Sequence, residues 1–180
     1  MKTLTLLTGL ALAVGVAPTP ADAYVRTRTK NGTGVPIYWP RRCIAFHINE
    51  RGSQDETFAA IEKATTRSFS TWQNVQCSDE ELSYQGKTNV ELVGYAPGQK
   101  NVNMVVWQED GAWTHPSQII ALTTVTFCSE VSGELCDAEG KILDADIEMN
   151  GEDFTFTTTP LPGRIRYRSE EHTSELQSHS

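Results

Sequence analysis

Between Ser53 and Val75 the chain reads SQDETFAAIEKATTRSFSTWQNV, and Phe58, Ile61, Thr65, Phe69, Trp72 and Val75 recur at three or four positions. Side chains so spaced share one face of an α-helix, which predicts a single amphipathic helix of about six turns. Ser53 and Glu56 stand at capping-box spacing, and Asp55 and Glu56 suit the positive end of a helix. Such a stripe needs a second layer to cover, and the flanking sequence supplies strands.

Upstream, Ile44, Phe46 and Ile48 alternate with Ala45, His47 and Asn49, the period of two that marks a strand. His47 stands alone in this pattern. A metal ligand needs partners, so a strand histidine held by hydrogen bonds is the expectation. Downstream, Glu91-Leu92-Val93 is a short strand signal, Asn103 to Gln108 a firm one, and Ile119 to Phe127 long and β-branched. In GKILDADIEMN, Ile142, Asp144, Asp146 and Glu148 alternate with Leu143, Ala145, Ile147 and Met149, so one face is acidic and the other apolar. The order strand, long helix, several strands predicts an α+β fold: a twisted mixed β-sheet packed by one long amphipathic helix.

Residues 1–23 join Lys2 to an apolar run from Leu4 to Val16 and small residues at Ala21 and Ala23. That is a secretory signal peptide, cut before Tyr24. The run is shorter than the about 20 residues a membrane span needs, so the mature protein is expected to be soluble and secreted, extracellular or periplasmic. Residues 24–40 read as an extended N-terminal arm, with a sequon at Asn31-Gly32-Thr33 that matters in a eukaryotic host.

Export makes Cys43, Cys77, Cys128 and Cys136 candidates for disulfides, and the preferred pairing is Cys43 with Cys77 and Cys128 with Cys136, the latter closing one compact loop. None of their spacings is the clustered C-x-x-C of a zinc site. The net charge of -8 argues against nucleic acid and anionic membranes as partners.

The order CIAFHIN, FAAIEKATTRSFSTWQNV, NMVVWQ, IIALTTVTF, ILDADIEMN resembles the N-terminal half of a matrixin-like metzincin, one of the secreted zinc metalloendopeptidases. The helix pattern from Ala60-Ile61 through Ala64 to Phe69 and Trp72 and the strand Ile142 to Asn150 carry the likeness, which extends from Pro36 to Thr159. It implies that residues 41–159 are the upper subdomain of a catalytic domain. In that family the next helix bears H-E-x-x-H-x-x-G-x-x-H, whose histidines bind zinc while the glutamate polarises the zinc-bound water. The motif does not occur in these 180 residues. The expectation is a chain truncated before the active-site helix, inactive as written, with zinc in the complete parent enzyme only.

The resemblance further implies that an edge strand pairs with an extended peptide substrate, which makes the backbone of Ala121, Leu122, Thr123 and Thr124 the candidate contact. Asp144, Asp146 and Glu148 are candidate calcium ligands, although no histidine accompanies them as in animal matrixins. A solvated acidic strand face is the preferred reading, because calcium needs about six to eight converging oxygens. Pro40-Arg41-Arg42-Cys43 is similar to the cysteine switch of latent matrixins, but its flanks differ and Cys43 is read as a disulfide half. A monomer is expected. The reading from another class is a small secreted, disulfide-stabilised binding or inhibitor module.

The tail remains. Glu170, Glu171, His172, Glu175 and His179 look like a metal site, yet nothing apolar anchors them. Arg168 to Ser178 (RSEEHTSELQS) instead resembles a translated short-read sequencing adapter. Residues 168–180 are therefore read as an artefact and 160–167 as an uncertain junction. Removing the one positive and three negative charges of 168–180 moves the net charge from -8 to -6, so the acidic conclusion stands.

Overall fold

The computed structural model describes residues 26–76, 79–159 and 165–166. The alternation after Cys43 becomes strand β1 (Cys43–Asn49), with Ile44, Phe46 and Ile48 buried. Helix α1 follows (Phe58–Gln73), then β2 (Glu81–Thr88), β3 (Met104–Gln108), β4 (Ala121–Phe127) and β5 (Ile142–Asn150). These strands form one mixed sheet in the order β2-β1-β3-β5-β4. All neighbours are parallel except β4, which runs antiparallel to β5. Two short parallel strands, β6 (Phe156–Thr157) and β7 (Ile165–Arg166), form a separate pair. The α+β expectation therefore holds. Among the described residues no helix is long and apolar enough to cross a membrane.

Helix α1 is 16 residues long, shorter than expected, because its start is elsewhere. Thr57 is the N-cap, its hydroxyl accepting the Ala60 N–H at 3.3 Å. Ser53 and Glu56 do not form a capping box. Glu56 Oε1 instead accepts the Thr158 N–H at 2.7 Å, and Asp55 Oδ2 accepts the Phe156 N–H at 2.8 Å. The two acids sit just outside the helix and hold the segment after β5. At the other end Trp72 is 72% exposed and Val75 45%, so the predicted stripe is core only from Phe58 to Phe69.

That core joins Ile61 to Ile48, Val105, Trp107 and Phe156, with Phe58, Phe69, Tyr84, Ile147, Met149 and Phe154 around it. The rings of Phe46 and Phe69 lie 4.2 Å apart, closing helix onto sheet. Burying five apolar side chains at about 1.5–3 kcal/mol each is the main term holding the layers together.

Two strand expectations need correction. Glu91-Leu92-Val93 is not a strand, and the polar stretch Glu81–Thr88 is. Its pattern is obscured by an extra residue opposite β1, where the register shifts between Phe46 and Ile48, with Gly86 at a φ of 90° that suits glycine. Tertiary contacts hold it: the Tyr84 hydroxyl donates to Glu62 Oε1 of α1 at 2.7 Å.

The arm is also not simply extended. Residues 28 and 36 form an antiparallel bridge around a turn at Lys30–Gly32, and Tyr38 then pairs with Lys141 at the start of β5. The Cys128–Cys136 disulfide is formed. Cys43 is exposed, and its expected partner Cys77 lies outside the described residues, as do the signal peptide and the tail with His172 and His179.

Candidate functional site

The candidate backbone contact, Ala121 to Thr124, lies at one edge of the sheet. Pairing with β5 is unbroken from Ala121 opposite Met149 to Thr126 opposite Asp144, and the register shifts only at Phe127. No described strand lies beyond β4, and Ala121 and Thr123 are exposed. An edge in regular register over six residues, with no described strand beyond it, presents a row of peptide groups to an added strand. The opposite edge, β2, carries the irregularity at Gly86 and offers a poorer template.

β4 has two kinds of neighbour. Ala121 and Thr123 stand beside Met149 and Ile147 on the helix side, whereas Leu122 and Thr124 stand beside Glu148 and Asp146 on the far side.

That far side overturns the solvated acidic face. Asp144, Asp146 and Glu148 are 2%, 0% and 6% exposed. The periodicity is as expected, but residues 89–103 and 109–120 fold over this face. Asp146 accepts the Gly94 N–H at 2.6 Å through Oδ2 and the Met104 N–H at 2.9 Å through Oδ1. Glu148 accepts from Gln108 Nε2 at 3.0 Å and from the Thr124 hydroxyl at 3.2 Å, and lies 3.7 Å from His115 Nε2. Asn150 donates to the carbonyls of Ile119 and Ser117, closing the turn that leads into β4. The row thus fastens both loops that flank the edge strand.

Burial raises the Asp144 carboxyl to about 7, with the hydrogen bond to Asp146 and the charge of Asp146 adding to it. Asp146 is also raised, chiefly by burial, against the pull of the Gly94 and Met104 amides and of Asp144. Asp144 Oδ2 has no hydrogen-bond partner. As calcium candidates the three carboxylates lie on one strand face, with the oxygens of Asp146 and Glu148 already accepting from protein donors. Among the described residues no group of three His, Cys, Asp or Glu is arranged to hold a metal.

His47 departs from expectation as well: its Nδ1 is buried without a partner. Burial, and then the charge of Lys100, lower its pKa, so the ring is neutral at ordinary pH. The residues missed from sequence are Gly94, Gln108, His115 and Asn150, which meet the acidic row from loops and strand ends. No local pattern marked them.

Compared with known proteins, the chain matches no protein-family model, no curated protein and no solved structure.

Proposed function

We propose that this chain carries the substrate-binding sheet of a secreted zinc metalloendopeptidase of the matrixin-like metzincin kind, without the helix that binds zinc. The observation that carries the reading is the β4 edge: six residues, Ala121 to Thr126, in regular antiparallel register with β5 and with no described strand on the outside. An extended peptide laid along it would gain main-chain hydrogen bonds, while its alternate side chains meet the two faces described above.

The width of the sheet supports the reading too. Five strands at about 4.8 Å spacing span about twice the about 10 Å diameter of one helix. Helix α1 packs against β1, β2 and β3, leaving Val125, Phe127, Ile147 and Met149 only half-buried. A second helix would complete that layer. In the complete enzyme it would bring zinc and its ligands, none of which these residues supply.

The secreted binding module is favoured by a different observation, the closed core of Ile48, Ile61, Val105, Trp107 and Phe156, each at most 5% exposed. Reading the source gene outward from the codon for Gly140 separates the two. An in-frame H-E-x-x-H-x-x-G-x-x-H soon after Thr159 supports the peptidase. A stop codon there, or the same tail in genomic DNA, sinks it in favour of the module.

A further inference from the structure

The N-terminal arm is held to the sheet at one corner. Tyr38 N–H donates to the Gly140 carbonyl and Ile142 N–H to the Tyr38 carbonyl, both at 2.9 Å. Glu139 accepts from the Thr29 hydroxyl through Oε1 and from Lys30 Nζ at 3.0 Å through Oε2. Thr29 is fully buried there. Gly140, at a φ of 85°, lets the arm lie against its backbone, since a Cβ would stand 2.8 Å from the Pro36 carbonyl oxygen. All these contacts land on residues 139–142, directly after the loop closed by Cys128 and Cys136.

The shape of that loop rests on the crosslink. Residues 129–135 are all exposed, with Val131 at 67% and Leu135 at 45%, so the loop has no core of its own. Its own hydrogen bonds are few: Ser132 N–H to the Cys136 carbonyl, and Lys141 Nζ to the Leu135 carbonyl and to Asp137. At its base Gly140 N–H donates to the Cys128 carbonyl at 2.8 Å, and Cys128 N–H to the Lys141 carbonyl at 2.9 Å. Cys128 is buried at 2%, whereas Cys136 is half-exposed.

We propose that the Cys128–Cys136 disulfide is a thiol-sensitive latch for the N-terminal arm. Intact, it holds residues 139–142 in the form that receives Thr29, Lys30 and Tyr38. Opened, it frees the loop and the arm undocks, while the five-stranded sheet stays folded. The sheet survives because the core residues Ile48, Ile61, Val105, Trp107 and Phe156 include none from this corner.

The co-reactant is a dithiol. Its thiolate attacks Sγ of the accessible Cys136, forming a mixed disulfide and expelling the Cys128 thiolate, which takes up a proton. The second thiol then displaces Cys136. Two electrons pass to the protein, which gains two thiols, and the dithiol becomes a disulfide.

Hydrogen exchange read by mass spectrometry on the full secreted chain tests the latch, using oxidised protein, protein treated with dithiothreitol, and the Cys128→Ser/Cys136→Ser variant, which leaves Cys43 and Cys77 untouched. The expected result is that peptides spanning residues 27–38 exchange at least about tenfold faster in the treated protein and in the variant, while peptides spanning β3 and β5 exchange as before. Reoxidation should restore the arm. Unchanged protection of the arm in both samples overturns the proposal. So does loss of sheet protection together with the arm, which would make the disulfide a general staple.

Discussion

Asp144 and Asp146 lie side by side on the buried face of β5, where burial raises both carboxyls and the charge of Asp146 raises Asp144 further. The pair also makes stability depend on pH. The folded chain holds Asp144 up at about 7, against an ordinary value of 3.8, so between these limits the folded state binds more protons than the unfolded state. The stabilisation is complete below the lower value and is lost as pH rises through the upper one. Asp146, whose carboxyl burial also raises, shares in this titration, with buried Glu148 beside it on the same face. Thermal unfolding of the wild type should therefore lose Tm steadily from about pH 4 to about pH 7, once the background from other groups is subtracted with Asp144→Asn. The variant has no proton to lose at this position, and its Tm should be flatter over that range. Equal slopes in the two proteins would remove the pair as the cause.

The β4 edge predicts a separation of binding from stability. Thr123 is exposed and sits mid-ladder opposite Ile147. Thr123→Lys places a solvated charge where an added strand would lie, the device by which natural edges resist pairing. Its unfolding free energy should stay within about 0.5 kcal/mol of the wild type. Binding of an extended test peptide, followed by protection of the 121–126 amides, should weaken several-fold. A peptide that binds both proteins equally and protects β2 instead would relocate the docking edge.

Two tryptophans give a matched test of the helix boundary. Trp107 is 2% exposed in the core, whereas Trp72 is 72% exposed near the end of α1. Urea unfolding of Trp107→Ala should show a loss of about 3–5 kcal/mol, the cost of truncating a buried aromatic. Trp72→Ala should cost no more than about 0.5 kcal/mol. A large loss at Trp72 would mean that residues beyond those described here cover it.

The chain as it stands should have no peptidase activity, since neither the zinc-binding histidines nor the general base of H-E-x-x-H is encoded. Purified protein incubated with zinc and a generic protein substrate is expected to match a blank. Cleavage that a chelator abolishes would contradict this and reopen the search for ligands within residues 24–180.

The amphipathic helix, β1 and the alternation of β5 were legible in the sequence because each depends on near neighbours. A period of two or of three to four is imposed by backbone geometry and needs no distant partner. The same logic read Ser53 and Glu56 as a cap, where Glu56 in fact reaches Thr158, 102 residues away. Distance along the chain also hid β2, a polar strand that exists because β1 and Glu62 hold it, and it hid the loop residues that meet the acidic row.

By itself, then, the sequence determined which side chains share a face: Asp144 with Asp146 and Glu148, Ile61 with Phe58 and Phe69. Whether a face is wet or dry was decided by the tertiary structure, since burial depends on what folds across it. Here residues 89–103 and 109–120 cover the carboxylates and leave Trp72 in water. Local periodicity is a property of the backbone, whereas desolvation belongs to segments brought together from far apart.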